Sequence, residues 1–116
     1  MIPDRLSARP AHAQFTTLLA VTIVAVYATI AFGAAVASGP AGVCTGWPIC
    51  SPPADAALSV GFALVVGHRA LTAVTGLLLV AVLLAARPVD LDRRARYALF
   101  GGAAAFPVQV GIGALV

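Results

Sequence analysis

The sequence contains no lysine and no glutamate, and only 9% of its 116 residues are charged. Its basic charge therefore rests entirely on arginine. A water-soluble domain of this length needs far more surface charge, and a hydrophobic fraction of 61% with a mean hydropathy of +1.02 excludes that class. The composition predicts an all-α integral membrane protein.

Cysteine is also scarce, with two residues in the chain. Two cysteines permit one disulfide and cannot by themselves build a zinc site. The formal net charge of +3 does not indicate nucleic-acid binding, because the arginines flank apolar runs instead of forming a patch. We therefore expect a lipid membrane as a partner and no nucleic acid.

Three long apolar runs predict three transmembrane helices in a single membrane domain, at about residues 15–37, 57–86 and 97–116. The first run is uncharged over 23 residues, enough at about 1.5 Å per residue to cross a hydrocarbon core of about 30 Å. Residues 1–14 are predicted to be a flexible polar tail. Because this tail carries two arginines and an Ala-Val-Ala sequence ends the first run, a cleaved signal peptide is the alternative interpretation.

The distribution of arginine predicts how the chain crosses the membrane. Residues 1–14 contain two arginines, the link at 87–96 contains four, and the loop at 38–55 contains none. By the positive-inside rule, the N-terminus and the link are cytoplasmic and the loop lies outside. The sequence thus predicts a multi-pass protein of the cell membrane.

The outer loop carries both cysteines, with Cys44 and Cys50 on either side of Trp47. Thiols in an exported loop meet an oxidising environment, and the glycines and prolines of this loop help the backbone to turn back. We expect a disulfide between Cys44 and Cys50, either as a structural staple or as a redox-active pair. The spacing does not distinguish these two roles. Trp47 is predicted to be an interfacial anchor.

His68 and Arg69 are ionisable residues inside the second apolar run. Groups of this kind are costly in a membrane and usually face a bundle interior or a cofactor. His68 begins a helical stripe that continues through Thr72, Thr75 and Leu79, small enough at the threonines for a flat ring to approach. We expect His68 either to bind a haem iron or to form a hydrogen bond between helices. Arg69 would pair with a carboxylate such as a haem propionate, or extend to lipid headgroups.

Taken together, these residues resemble the haem A synthase family of the cytochrome oxidase assembly pathway. That family has an outer-loop motif C-P-D-W-P-x-C and a histidine–arginine pair in its second helix. The present chain reads C-T-G-W-P-I-C from Cys44 to Cys50 and has the pair at His68 and Arg69. The third apolar run, FPVQVGIGALV, is similar to the third helix of the family.

The resemblance implies a fold and a cofactor. The three helices would correspond to part of a four-helix haem-binding bundle, with haem b bound through His68 and Arg69 and with Cys44 and Cys50 as the outer cysteine pair. The family oxidises a methyl group of haem O to the formyl group of haem A. The chain departs from the family at Val65, where a glutamate is expected, and lacks the fourth helix that carries the second histidine ligand. Its identity as an enzyme is therefore open.

The resulting hypothesis is a haem-linked membrane protein that is incomplete alone, with haem O or haem A as substrate or product. A homodimer or a partner chain would supply the second histidine. The alternatives are a membrane thiol–disulfide protein that exchanges electrons with quinone, and a non-catalytic interaction protein or fragment.

Overall fold

The computed structural model describes residues 2–39 and 59–115. These residues form three α-helices and no strand: α1 is Ile2–Ala37, α2 is Val60–Ala86 and α3 is Arg93–Leu115. All three contain stretches that are long and apolar enough to cross a membrane. The predicted all-α membrane fold with three transmembrane helices is therefore confirmed. The cysteine loop falls within residues 40–58, so Cys44, Trp47 and Cys50 lie outside the described residues.

Helix α1 begins at Ile2 and not near residue 15, where the apolar run begins. The expected polar tail is helical because it contains arginine, leucine and alanine, which favour helix. Pro3 falls in the first turn, where a missing N–H is tolerated. Pro10 lies further inside and removes one hydrogen bond, but the helix continues through it to Ala37.

Polar side chains cap the starts of the other two helices. The hydroxyl of Ser59 accepts a hydrogen bond from the backbone N–H of Phe62 at 3.1 Å, immediately before α2. The carboxylate of Asp92 accepts one from the N–H of Ala95 at 2.9 Å, immediately before α3. Each cap satisfies an N–H group that has no partner within its helix. The expected start of α3 at residue 97 was four residues late, because the arginines of its first turn are polar yet helical.

The chain forms two compact units. The first contains Met1–Val24 and Gly76–Val116. Its buried core brings together one side chain from α1, two from α2 and one from the link: Phe15, Val82, Ala86 and Val89. A Cβ built on Gly76 would lie 3.3 Å from Cε1 of Phe106, so α2 and α3 are close here.

The second unit is Ala25–Thr75, which contains the C-terminal part of α1 and the N-terminal part of α2. Within it, Val65 is 3% exposed and Thr75 is completely buried. Threonine in such a position needs a hydrogen-bond partner. This unit contains His68, which the sequence analysis singled out as the candidate haem ligand.

Large apolar side chains cover much of the described surface. Val24, Ile30 and Leu77 are 69%, 62% and 72% exposed, respectively. In water such a surface would aggregate, whereas in a bilayer it faces lipid or further helices. The exposure pattern fits a multi-pass membrane protein.

Candidate functional site

His68 lies in the contact between α1 and α2 within the second unit. A Cβ built on Gly33 of α1 would lie 3.0 Å from Cε1 and 3.5 Å from Nε2 of the imidazole. A separation of 3.0 Å is tighter than nine in ten real Cβ contacts, so a larger residue at this position would require the imidazole to shift by a few tenths of an ångström. Gly33 thus determines how deeply the His68 ring enters this contact.

A second glycine brings the same two helices together. A Cβ on Gly67 would lie 3.4 Å from Cε1 of Phe32. Small residues allow transmembrane helices to approach closely, because their packing depends on van der Waals contact and not on exclusion of water. The contact between α1 and α2 is therefore reciprocal. His68 of α2 packs on Gly33 of α1, and Phe32 of α1 packs on Gly67 of α2.

The imidazole of His68 has a buried nitrogen without a hydrogen-bond partner in the described part of the chain. Nδ1 is inaccessible and forms no hydrogen bond with any described residue. Each imidazole nitrogen is either a donor or an acceptor, and leaving one unsatisfied costs about 1–3 kcal/mol. A buried group of this kind calls for a partner such as water, an ion or a ligand. The alternative expectation was a hydrogen bond from His68 to another helix. Nδ1 forms no such bond with residues 2–39 and 59–115.

The threonine stripe behaves differently from the expectation that it leaves room for a flat ring. Thr75 is fully buried, and its hydroxyl lies 2.9 Å from that of Thr29 on α1. The Thr29 hydroxyl also lies 2.7 Å from the carbonyl of Ala25, and the Thr75 hydroxyl lies 2.8 Å from that of Leu71. Because each hydroxyl has one proton, one threonine donates to the other, and the accepting threonine donates to the carbonyl in its own helix. The stripe is therefore packed against α1 at Thr75, where polar contacts between helices replace the expected open surface.

Arg69 and Val65 are the other positions on α2 that the sequence analysis singled out near His68. Arg69 is half-buried on α2, one position after His68. Val65 is buried three residues before His68, so an apolar side chain stands where the resemblance expects a carboxylate. No group of three or more histidine, cysteine or acidic residues in the described part of the chain could hold a metal ion.

Sequence reasoning missed Gly33, Gly67 and Phe32, which form the surroundings of His68. Glycines of α3 are different, since a Cβ on Gly101 or Gly111 would meet nothing within 4 Å. The available signal was that Gly33 follows Phe32 within the first apolar run and that Gly67 directly precedes His68 within the second. That signal does not identify the partner helix.

The described geometry defines a class of protein: a multi-pass helical membrane protein with a histidine held between two of its helices. No family model and no solved structure matches the chain. Among curated proteins, it is similar to the protoheme IX farnesyltransferase of Haloarcula marismortui, with 39% identity over 106 residues, 88% of this chain and 22% of that protein.

Two further relatives have the same kind of name. The protoheme IX farnesyltransferase of Halobacterium salinarum is 37% identical over 102 residues, 87% of this chain and 22% of the relative. Protoheme IX farnesyltransferase 1 of Natronomonas pharaonis is 36% identical over 104 residues, 88% of this chain and 22% of the relative. The chain thus spans about a fifth of the length of the curated relatives it matches.

These relatives contradict the resemblance to haem A synthase. Their name is that of a transferase that moves a farnesyl group to protohaem IX, and not that of an oxidoreductase. The expected oxidation of haem O and the role in haem A formation are therefore wrong, and the thiol–disulfide alternative is not favoured either. The buried Val65 agrees with this correction, because it supplies no carboxylate at the position expected for that family.

The cysteine prediction changes with this correction. A disulfide between Cys44 and Cys50 was expected from an exported loop and from the outer cysteine pair of an oxidoreductase, and it conflicts with the farnesyltransferase name of these relatives. Both cysteines lie outside the described residues.

Proposed function

We propose that this chain is a haem-binding membrane segment of a protoheme IX farnesyltransferase, where its helices hold protohaem IX as the substrate of farnesyl transfer. The observation that carries the proposal is 36–39% identity to proteins of that name over nearly nine-tenths of the chain. A membrane enzyme with a flat, apolar substrate needs a protein surface that orients this substrate within the bilayer.

Within this function, His68 would contact the haem iron and Arg69 a propionate. The buried Nδ1 of His68, which has no hydrogen-bond partner among the described residues, supports the first role, because neutral imidazole is a common metal ligand. The planar guanidinium of Arg69 matches a carboxylate in geometry and charge. Protohaem IX, or haem b, enters this proposal as a substrate and not as a resident cofactor.

Coordination of the iron by two histidines would require a second histidine in addition to His68. His68 is the one histidine of α2, and the other histidine of these 116 residues is His12 on α1. In a homodimer, Thr75 would not be available to a second copy of the chain, because it is fully buried and lies against Thr29 of α1.

Titration of the purified full-length chain in lipid nanodiscs with protohaem IX tests the site. The wild type should produce a saturable change in haem absorbance, and His68→Ala should weaken binding by about tenfold or more. His12→Ala is the matched control, since His12 is exposed on α1 and belongs to the first unit, so that its replacement leaves the surroundings of His68 unchanged. Equal affinities of the wild type and His68→Ala would exclude His68 from the site.

A separate assay tests the reaction. Membranes that contain the chain, with and without other proteins of the same cells, are incubated with protohaem IX and farnesyl diphosphate, and extracted haems are weighed by mass spectrometry. Transfer breaks the bond between the farnesyl group and diphosphate, so we expect a haem that carries a farnesyl group and a matching release of diphosphate, both in amounts that rise with the chain. A haem that gains oxygen and no farnesyl group would contradict the transferase proposal.

A further inference from the structure

A shallow groove in the first unit combines positive charge with aromatic surface. It has a volume of about 530 Å³ and is lined by Leu91, Arg93, Arg96, Tyr97 and Phe100. The last four residues are spaced by three, one and three positions, so they share one face of α3. The groove is therefore amphipathic along the helix axis, with arginines at its beginning and the rings of Tyr97 and Phe100 about one and two turns after Arg93.

The charge of this region is strongly asymmetric. Residues 87–96 contain four arginines and two aspartates, which leaves a net charge of +2. Asp92 already accepts the hydrogen bond that caps α3. In the described part of the chain, no carboxylate pairs with Arg93 or Arg96, and both side chains are exposed. The two guanidinium groups are thus available to an anion.

The groove also lies where polar sequence gives way to apolar sequence. The candidate membrane span Arg93–Ala114 begins with these arginines and continues as an apolar helix. Tyr97 and Phe100 are 69% and 52% exposed, an orientation that suits contact with lipid. A ligand bound along this groove would contact the arginines at one end and the apolar surface of Tyr97 and Phe100 at the other.

We propose that the groove binds an anionic phospholipid, with its phosphate between Arg93 and Arg96 and the beginning of one hydrocarbon chain along Tyr97 and Phe100. Guanidinium groups bind phosphate oxygens through paired hydrogen bonds, and basic pockets beside transmembrane helices bind anionic headgroups. A free phosphate ion would use the arginines and leave the aromatic part of the groove unexplained. A membrane phospholipid uses both parts and is present wherever the helix crosses a bilayer.

This proposal is independent of haem binding, because none of the groove residues belongs to the second unit that contains His68. It also has a matched control in the sequence. Arg94 has the same charge, lies between the two groove arginines in the chain and does not line the groove. A purely electrostatic attraction to an anionic surface would depend on all three arginines equally.

The test uses the full chain in nanodiscs with equal amounts of phosphatidylglycerol and phosphatidylcholine, followed by native mass spectrometry of lipids that stay bound. We expect the wild type to retain phosphatidylglycerol preferentially, and Arg93→Gln/Arg96→Gln to reduce this preference by about 10- to 30-fold. Arg94→Gln should retain it, and Arg93→Lys/Arg96→Lys should give an intermediate preference, because lysine keeps the charge and loses the paired hydrogen bonds. Unchanged helicity by circular dichroism establishes that each variant is folded.

Three outcomes would overturn the proposal. The first is equal retention of the two lipids by the wild type, and the second is an equal loss of preference in Arg94→Gln and in the double glutamine variant. The third is displacement of the phospholipid by farnesyl diphosphate at equimolar concentration, which would assign the groove to an isoprenoid diphosphate instead.

Discussion

At the scale of single residues, Gly33 has the most specific role in the described structure. Its missing Cβ leaves the space into which the His68 ring fits, at a distance of 3.0 Å from Cε1. We predict that Gly33→Ala will displace the imidazole and weaken protohaem binding by about tenfold, an effect of the size found for residues that orient metal ligands.

The control for this variant is Gly101→Ala, since a Cβ at Gly101 would meet nothing within 4 Å. Both substitutions should favour helix formation by about 1 kcal/mol relative to glycine, so helix propensity does not separate them. Haem titration of the two variants in nanodiscs checks the prediction. Equal affinities would show that the His68 ring does not depend on Gly33.

A second residue-scale prediction concerns the hydroxyl pair between Thr29 and Thr75. Thr75→Val keeps the shape of the side chain and removes one partner of the 2.9 Å contact. Hydrogen bonds between transmembrane helices contribute about 0.6 kcal/mol on average and about 1.7 kcal/mol at most. We expect a loss of stability in this range, measured by unfolding in a detergent titration.

The double variant Thr29→Val/Thr75→Val isolates the pair from other effects of each substitution. If the two hydroxyls interact, the double variant will lose less stability than the sum of the two single variants. Thr16→Val is the control, since Thr16 is exposed and bonds to the carbonyl of His12 in its own helix. Additive losses at Thr29 and Thr75 would mean that the contact has no stabilising effect.

At the scale of helices, apolar runs predicted the membrane spans, while capping residues determined where the helices begin. The sequence located α2 within a few residues because its apolar run ends at the Arg87–Pro88 dipeptide, where helix propagation is unfavourable. It placed the start of α3 too late, because the first turn of this helix is rich in arginine and therefore lies outside the apolar run from which the helix was predicted. It missed the contact between Gly33 and His68 because periodicity identifies a face of one helix and not its neighbour.

The cap of α3 leads to a prediction at this scale. Asp92→Ala should destabilise the first turn of α3 by about 1 kcal/mol, because the N–H of Ala95 loses the partner that now lies 2.9 Å away. Asp92→Asn should preserve most of the cap. Hydrogen–deuterium exchange of the first turn checks both variants, with Asp90→Ala as the control for loss of a negative charge nearby. Similar exchange in Asp90→Ala and Asp92→Ala would contradict a capping role.

At the scale of the whole molecule, the distribution of arginine remains the basis for orientation. Residues 87–96 contain four arginines, and residues 38–55 contain none. The same arginines that line the proposed lipid groove would therefore face the cytoplasmic leaflet, where anionic lipids attract juxtamembrane basic segments by about 1 kcal/mol per arginine. Orientation and lipid binding thus depend on one feature of the sequence, and an experiment on orientation bears on both.

We predict that the link between α2 and α3 is cytoplasmic and that the preceding loop is external. Two single-cysteine chains test this orientation with a membrane-impermeant thiol reagent. One retains Cys44 and carries Cys50→Ser, and the other carries Arg94→Cys with both native cysteines replaced by serine. By the positive-inside rule, the first should be labelled in intact cells and the second only after permeabilisation. The reverse pattern would invert the topology, and it would place the Arg93–Arg96 groove in the outer leaflet.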